Sequence, residues 1–160
     1  MRVRLPGYLL AIVLVLAAAG TRAAEEKLPH FAALRATEVN LRTGPGERYP
    51  IAWVYHRKGL PVEVTARFDV WRKVRDSDGT EGWVHERMLS AERSIVVRGN
   101  EQTLRADPAP GAQPVARAEP GVVARLLECR AAWCRVETQG ITGWLPESDV
   151  WGVAPGETVN

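Results

Sequence analysis

The feature that most restricts what this chain can fold into is an internal repeat. Leu41-Arg42 returns as Leu104-Arg105, Pro45-Gly46 as Pro110-Gly111, Gly59 as Gly121 and Trp71 as Trp133. Val74 returns as Val136, Gly79 as Gly140, and Gly82-Trp83-Val84 as Gly143-Trp144-Leu145. The separation is 63 residues between Leu41 and Leu104 and 61 between Gly82 and Gly143, and it stays between 61 and 65 throughout. Turn and aromatic positions that recur at a fixed distance mean that one small unit is built twice.

The unit is all-β. Candidate strands lie at 37–41, 51–55, 61–67, 71–75 and 82–85, each four to seven residues long. Turn signals separate them: Arg57-Lys58-Gly59, Phe68-Asp69 and Asp76-Ser77-Asp78-Gly79, the last a good hairpin turn. The expected fold class is two tandem small barrels, over 36–97 and 98–153. A short arm over 24–35 precedes them, a tail over 154–160 follows, and 94–97 reads as the closing strand of the first copy. The weak points are the strands of the second copy near Pro114 and Pro120, because proline removes a ladder donor.

Residues 1–23 read as a secretory signal peptide. Arg2 and Arg4 form a positive start, an apolar run follows over 8–19, and Thr21-Arg22-Ala23 places small residues around a cleavage point. The run is short of the roughly 20 residues that span a bilayer, so no membrane span is expected in the mature chain. The whole chain has 21 basic and 19 acidic residues; removing Arg2, Arg4 and Arg22 leaves 18 against 19. A near-neutral mature chain lacks the basic face that nucleic acid requires. The compartment expected is periplasmic or secreted.

Within the first copy the stretch Val39-Asn40-Leu41-Arg42-Thr43-Gly44-Pro45-Gly46-Glu47-Arg48-Tyr49-Pro50 takes a strand into a loop that cannot be helical. That stiff loop presents Arg42, Glu47, Arg48 and Tyr49 beside the strand carrying Trp53 and Tyr55. Trp71 and Val74 are an odd number of residues apart, as are Trp83 and Val84, so each pair points to opposite faces of the sheet. If the aliphatic residues fill the core, the tryptophans line an outer groove; the alternative is that a small barrel takes them into its mouth as core. The candidate ligand-binding set is therefore Arg48, Tyr49, Trp53, Tyr55, Trp71 and Trp83, a row of aromatics suited to an extended peptide.

Cys129 and Cys134 are the two cysteines of the chain. They bracket four residues at a hairpin tip, and an exported chain is expected to join them as a disulfide. The spacing lacks the CxxC arrangement of redox catalysis. His30, His56 and His85 have no ligand spacing among them, so no metal and no cofactor are expected. Hydrolytic signatures such as GxSxG or HExxH are absent from the sequence, and Asp76, Asp78 and Glu81 read as solvated turn residues. The chain is expected not to be an enzyme.

The segments VNLRTGPGERYPIAWVYHRKGLPVEV and WRKVRDSDGTEGWVHERML resemble the bacterial SH3-like (SH3b) domain, and ECRAAWCRVE with GITGWL resembles a divergent second copy. The resemblance implies a five-stranded, partly open barrel, an extracytoplasmic setting, and binding to cell-wall peptide or to protein. His85 and Met88 stand where a proline-reading SH3 groove has Pro and Tyr, which argues against ordinary PxxP recognition. The leading expectation is an exported binding module for peptidoglycan or an extended peptide. The rival is a structural adaptor in an envelope protein complex with no small ligand.

Overall fold

The computed structural model describes residues 27–160; the leader expected over 1–23 and the start of the expected arm lie outside the described residues. Repeat one comprises β1 (His30–Leu34), β2 (Val39–Arg42), β3 (Ile51–Tyr55), β4 (Pro61–Phe68), β5 (Trp71–Arg75), β6 (Glu81–His85), a 3-10 turn at Glu86–Met88 and β7 (Leu89–Ser90). Repeat two comprises β8 (Ser94–Val97), β9 (Gln102–Arg105), β10 (Pro114–Ala118), β11 (Val123–Arg130), β12 (Trp133–Thr138), β13 (Ile141–Pro146), a 3-10 turn at Glu147–Asp149 and β14 (Val150–Trp151). The sheet orders are β3-β2-β6-β5-β4-β1-β7 and β10-β9-β13-β12-β11-β8-β14, the same topology twice. Each repeat has seven strands where the resemblance implied five. The arms of the Gly-Pro-Gly loop, β2 and β3, form a ladder of their own, and a two-residue β7 adds to β1.

The periodicity of the strands sets the cores. In repeat one Val39, Leu41, Val62, Val64, Val74 and Val84 are almost wholly buried in one cluster with Leu34 and Tyr55. In repeat two Ile95, Leu104, Leu126, Val136 and Leu145 fill the equivalent space. The Gly-Trp pairs carry a steric reason for the repeat. A Cβ on Gly82 would lie 2.5 Å from Leu41 Cγ and 2.8 Å from the Arg42 carbonyl oxygen, and one on Gly143 would lie 2.8 Å from Leu104 Cβ. The hairpin strand and β2 or β9 therefore approach closer than any side chain allows.

Two boundary expectations are corrected. Residues 30–34, expected within a loosely docked arm, form β1, which pairs with both β4 and β7. Ala32 and Leu34 enter the core; Ala33, on the other face, is buried too. Residues 94–97, expected to close the first copy, form β8 and pair with β11 and β14 of the second sheet. Both strands are covered on two faces, so neither shows the alternation that marks a half-exposed strand. All four residues of β8 are buried.

The repeats pack through these strands. Ser94 Oγ donates to the Gly59 carbonyl at 2.6 Å, and Arg57 Nη1 donates to the Gly121 carbonyl at 2.7 Å. Phe31 meets Trp151 edge to face at 5.0 Å between ring centroids. Arg93 lies over Phe31 and grips Glu157 through both terminal nitrogens, 2.7 and 3.0 Å, while donating to the Gly152 carbonyl. That fork holds the Glu157 carboxyl below its ordinary range against the opposing effect of burial. The segment after β14 is tied down as well, since Val159 exchanges two backbone hydrogen bonds with Cys129.

Pro114 opens β10 at the edge of its sheet, where a missing N–H is tolerated, and Pro120 falls in a turn. The disulfide joins Cys129 and Cys134, directly opposed in the β11–β12 ladder. Its hairpin closes through Ala131 and Ala132, both at positive φ, 49° and 63°.

Candidate functional site

The Gly-Pro-Gly loop is held from below by Arg42. Its Nη1 donates to the carbonyls of Glu47 at 3.0 Å and Tyr49 at 2.8 Å. Arg105 makes the matching bond to the Ala112 carbonyl at 2.9 Å, so the repeated Leu-Arg pair places Leu in the core and Arg as a loop fastener. Tyr49 does not project toward a ligand. Its ring lies where a Cβ on Gly44 would stand, within 2.4 to 2.7 Å, and Arg48 sits over that ring at 5.5 Å. Gly44 is therefore required for Tyr49 to fold back and fill the loop.

Parity holds for the tryptophans. Val74 and Val84 are fully buried in the core, whereas Trp71 and Trp83 stand on the opposite face and join no core cluster. Trp83 lies opposite Arg42 on one neighbour and Lys73 on the other. Lys73 binds Glu81 at 2.8 Å and holds its carboxyl below the ordinary range. Trp71 lies opposite His85, the rings meeting edge to face at 5.4 Å. Trp71 is only 9% exposed, so of the two alternatives its ring is nearer the buried one although it lies on the face opposite Val74. It forms part of the lining of a groove of about 200 Å³ whose walls are Glu38, Asn40, Arg42 and Glu47 on one side and His85, Arg87 and Met88 on the other.

Of the expected set only Trp71 lines this groove; Arg48, Tyr49, Trp53, Tyr55 and Trp83 do not. Tyr55 belongs to the core at 5% exposure, and its hydroxyl donates to Asp76 Oδ2 at 2.9 Å. Asp76 is itself buried, and its Oδ1 accepts from the amides of Asp78 and Thr80. It is the internal anchor of the hairpin turn, where a solvated residue was expected. Burial and the Asp76 carboxylate push the Tyr55 phenol well above its ordinary range. Trp53 pairs with Leu41 on the opposite side of β2 from β6 and its Trp83, and it stands 57% exposed on the edge strand β3. Arg48 lies exposed on the loop. The six residues do not form one groove. Trp71 faces the cleft described above with His85 and Met88, the two residues the resemblance put at groove positions, and the residues the sequence reading missed there are Asn40 and Arg87. Asn40 was legible, because it alternates with the core residues Val39 and Leu41.

The sequence matches the bacterial SH3 domain family twice, over residues 35–91 and 98–152. The chain belongs to the bacterial SH3 domain family. A search of curated proteins finds no match. Solved structures similar to this tandem bacterial SH3 chain include NlpC1 and NlpC2 from Trichomonas vaginalis, each 12% identical with a TM-score of 0.36. Those two alignments cover 80% and 79% of this chain and 47% and 49% of theirs. An NlpC/P60 family protein from Bacillus cereus is 16% identical with a TM-score of 0.35, over 76% of this chain and 55% of that one. This chain thus spans about half the length of those proteins. Among the described residues no cluster of His, Cys, Asp and Glu is arranged to hold a metal ion, and no helix is long and apolar enough to cross a membrane.

Proposed function

We propose that this chain is an exported, non-catalytic binding module whose first repeat recognises an extended peptide of the cell wall. The observation that carries this reading is the Trp71 cleft. A buried tryptophan on the face opposite the main core cluster lies between the Gly-Pro-Gly loop, through Glu47, and the 3-10 turn, through Arg87 and Met88. Its lining carries both signs, Glu38 and Glu47 with Arg42 and Arg87, which suits a ligand that itself carries both charges, as a peptide with free carboxylate and amine groups does. Membership of a family of binding modules supports the same reading, and the Cys129–Cys134 bridge fits an extracytoplasmic compartment.

Three of the groups weighed for catalysis have structural partners. The two thiols are joined to each other, and Asp76 is committed to its turn. The adaptor reading would have the second repeat or the tail covering the tryptophans of the first. Trp151 instead packs on Phe31, leaving the Trp71 cleft uncovered.

Co-sedimentation with purified peptidoglycan sacculi tests the reading. Wild type is expected in the pellet, and Arg87→Ala and Glu47→Ala, which alter exposed walls and leave the core intact, are expected to release a larger soluble fraction. Trp71→Ala is a poor probe, because the ring is buried and its loss disturbs the fold. Wild type remaining in the supernatant would refute wall binding.

A further inference from the structure

We propose that the free edge of β3 is a second interaction surface, distinct from the Trp71 cleft, that accepts an extended protein segment as an added strand with uncharged alternating side chains and acidic flanks. The edge is structural fact: β3 ends its sheet and pairs with β2 alone. On an edge strand every second residue turns its backbone N–H and C=O away from the sheet, and such a row binds another backbone before anything else. Along Ile51-Ala52-Trp53-Val54-Tyr55 there is no charge and no proline. Ile51 and Trp53 are 47% and 57% exposed, two of the large apolar side chains left in solvent.

Repeat two supplies an internal comparison. Its β10 occupies the same place in an identical topology, and both edges carry a register shift against their neighbours. The β10 edge is protected. Pro114 removes one N–H, and Arg117 stands exposed, ion-paired to Glu101 at 3.1 Å. The same fold has one edge blunted by proline and charge and the other left bare, so the fold itself does not require a bare edge.

Charge chooses the occupant. Arg48 precedes β3, and Arg57 and Lys58 follow it. Among the described residues Arg48 and Lys58 have no ion-pair partner; Arg48 lies over the Tyr49 ring, and Arg57 donates to the Gly121 carbonyl. Glu47 is turned to the Trp71 cleft. A strand with carboxylates at both ends meets these cations. A second copy of this chain does not, since antiparallel pairing centred on Trp53 sets Arg48 against Lys58 of the other copy. A single five-residue strand pair also falls well short of the roughly 1,000 Å² that a stable dimer buries.

The probe is a nine-residue synthetic peptide with two aspartates at each end and alternating valine and threonine between, added to the mature chain labelled with ¹⁵N. The expected result is shifted and exchange-protected amides confined to 51–55, weaker binding at high salt, and at least tenfold weaker binding to Trp53→Lys. Trp53 is exposed, so this variant is expected to keep the native spectrum elsewhere. A peptide N-methylated at alternate residues should lose binding. No shifts at millimolar peptide, equal shifts at β10, or shifts only around Trp71 would overturn the proposal. So would protection of 51–55 that rises with protein concentration in the absence of peptide, which would make the edge a self-association surface. Sacculus binding reads the Trp71 cleft independently, so failure of one leaves the other standing.

Discussion

Replacing Tyr55 with Phe removes one oxygen and leaves the ring in its place in the core. The lost hydroxyl is the donor to Asp76 Oδ2 at 2.9 Å, and Asp76 is buried, so that oxygen loses a partner without gaining water. A hydrogen bond to a charged acceptor is worth about 1.5–3 kcal/mol, and the expected destabilisation is about 2 kcal/mol. Urea slopes for small proteins are about 1–3 kcal/mol per molar, so the midpoint should fall by roughly 1 M. A pH dependence accompanies it. The folded Tyr55 phenol ionises above its unfolded value near 10, so its contribution is complete below about pH 10 and is lost as pH rises toward the folded value. Wild-type stability should therefore fall by up to about 1.4 kcal/mol per pH unit above pH 10, from this group alone, and Tyr55→Phe should lack that component. Urea titrations at neutral and alkaline pH measure both. A Tyr55→Phe midpoint equal to wild type at neutral pH, or an identical alkaline decline in both proteins, would refute the buried Tyr55–Asp76 bond as the anchor of this hairpin.

Three other outcomes are expected. Gly82→Ala forces a Cβ against Leu41 and the Arg42 carbonyl and should cost about 1–3 kcal/mol of stability, measured by denaturant titration. Glu157 has a depressed folded ionisation, so its grip on Arg93 is present above the unfolded carboxylate value near 4.3 and is lost as pH falls through the lower folded value; Glu157→Gln should raise amide exchange over 154–160 at neutral pH. Ala131 and Ala132 both sit in the left-handed region, where an L residue with a Cβ pays roughly 1 kcal/mol, so Ala131→Asn with Ala132→Gly should raise the thermal midpoint.

Much of the fold was legible because repeat landmarks and strand alternation are properties of single positions. The offset of Gly82-Trp83-Val84 to Gly143-Trp144-Leu145 found two barrels, and both Gly positions turn out to be close approaches between strands. The odd spacing of Trp71 and Val74 placed them on opposite faces, as the structure has them. What alternation cannot show is a strand buried on both faces. His30–Leu34 and Ser94–Val97 each serve a core on one side and the other repeat on the opposite side, so they read as an arm and as a misassigned closing strand.

The candidate site was legible by residue type and not by partner. Tyr49, Tyr55 and Trp53 are aromatics near one loop, but three different demands claim them: filling the space over Gly44, bonding Asp76 in the core, and flanking a sheet edge. No sequence spacing reveals that Asp76 lies beneath Tyr55, since the two are 21 residues apart and meet only when β3 and the hairpin turn fold together. His85, Arg87 and Met88 join Trp71 because the 3-10 turn folds back beside β5, which depends on the Glu86 amide reaching the Val70 carbonyl at 2.8 Å.

The most direct measurement on the central claim is an amide and indole NMR titration of the mature chain with soluble peptides released from peptidoglycan. Binding in the first-repeat cleft should move the Trp71 indole signal together with the amides of Asn40, Glu47, His85 and Met88, leaving Trp144 and Trp151 in place. Saturating peptide that moves none of these, or that moves only signals of the second repeat, would contradict it.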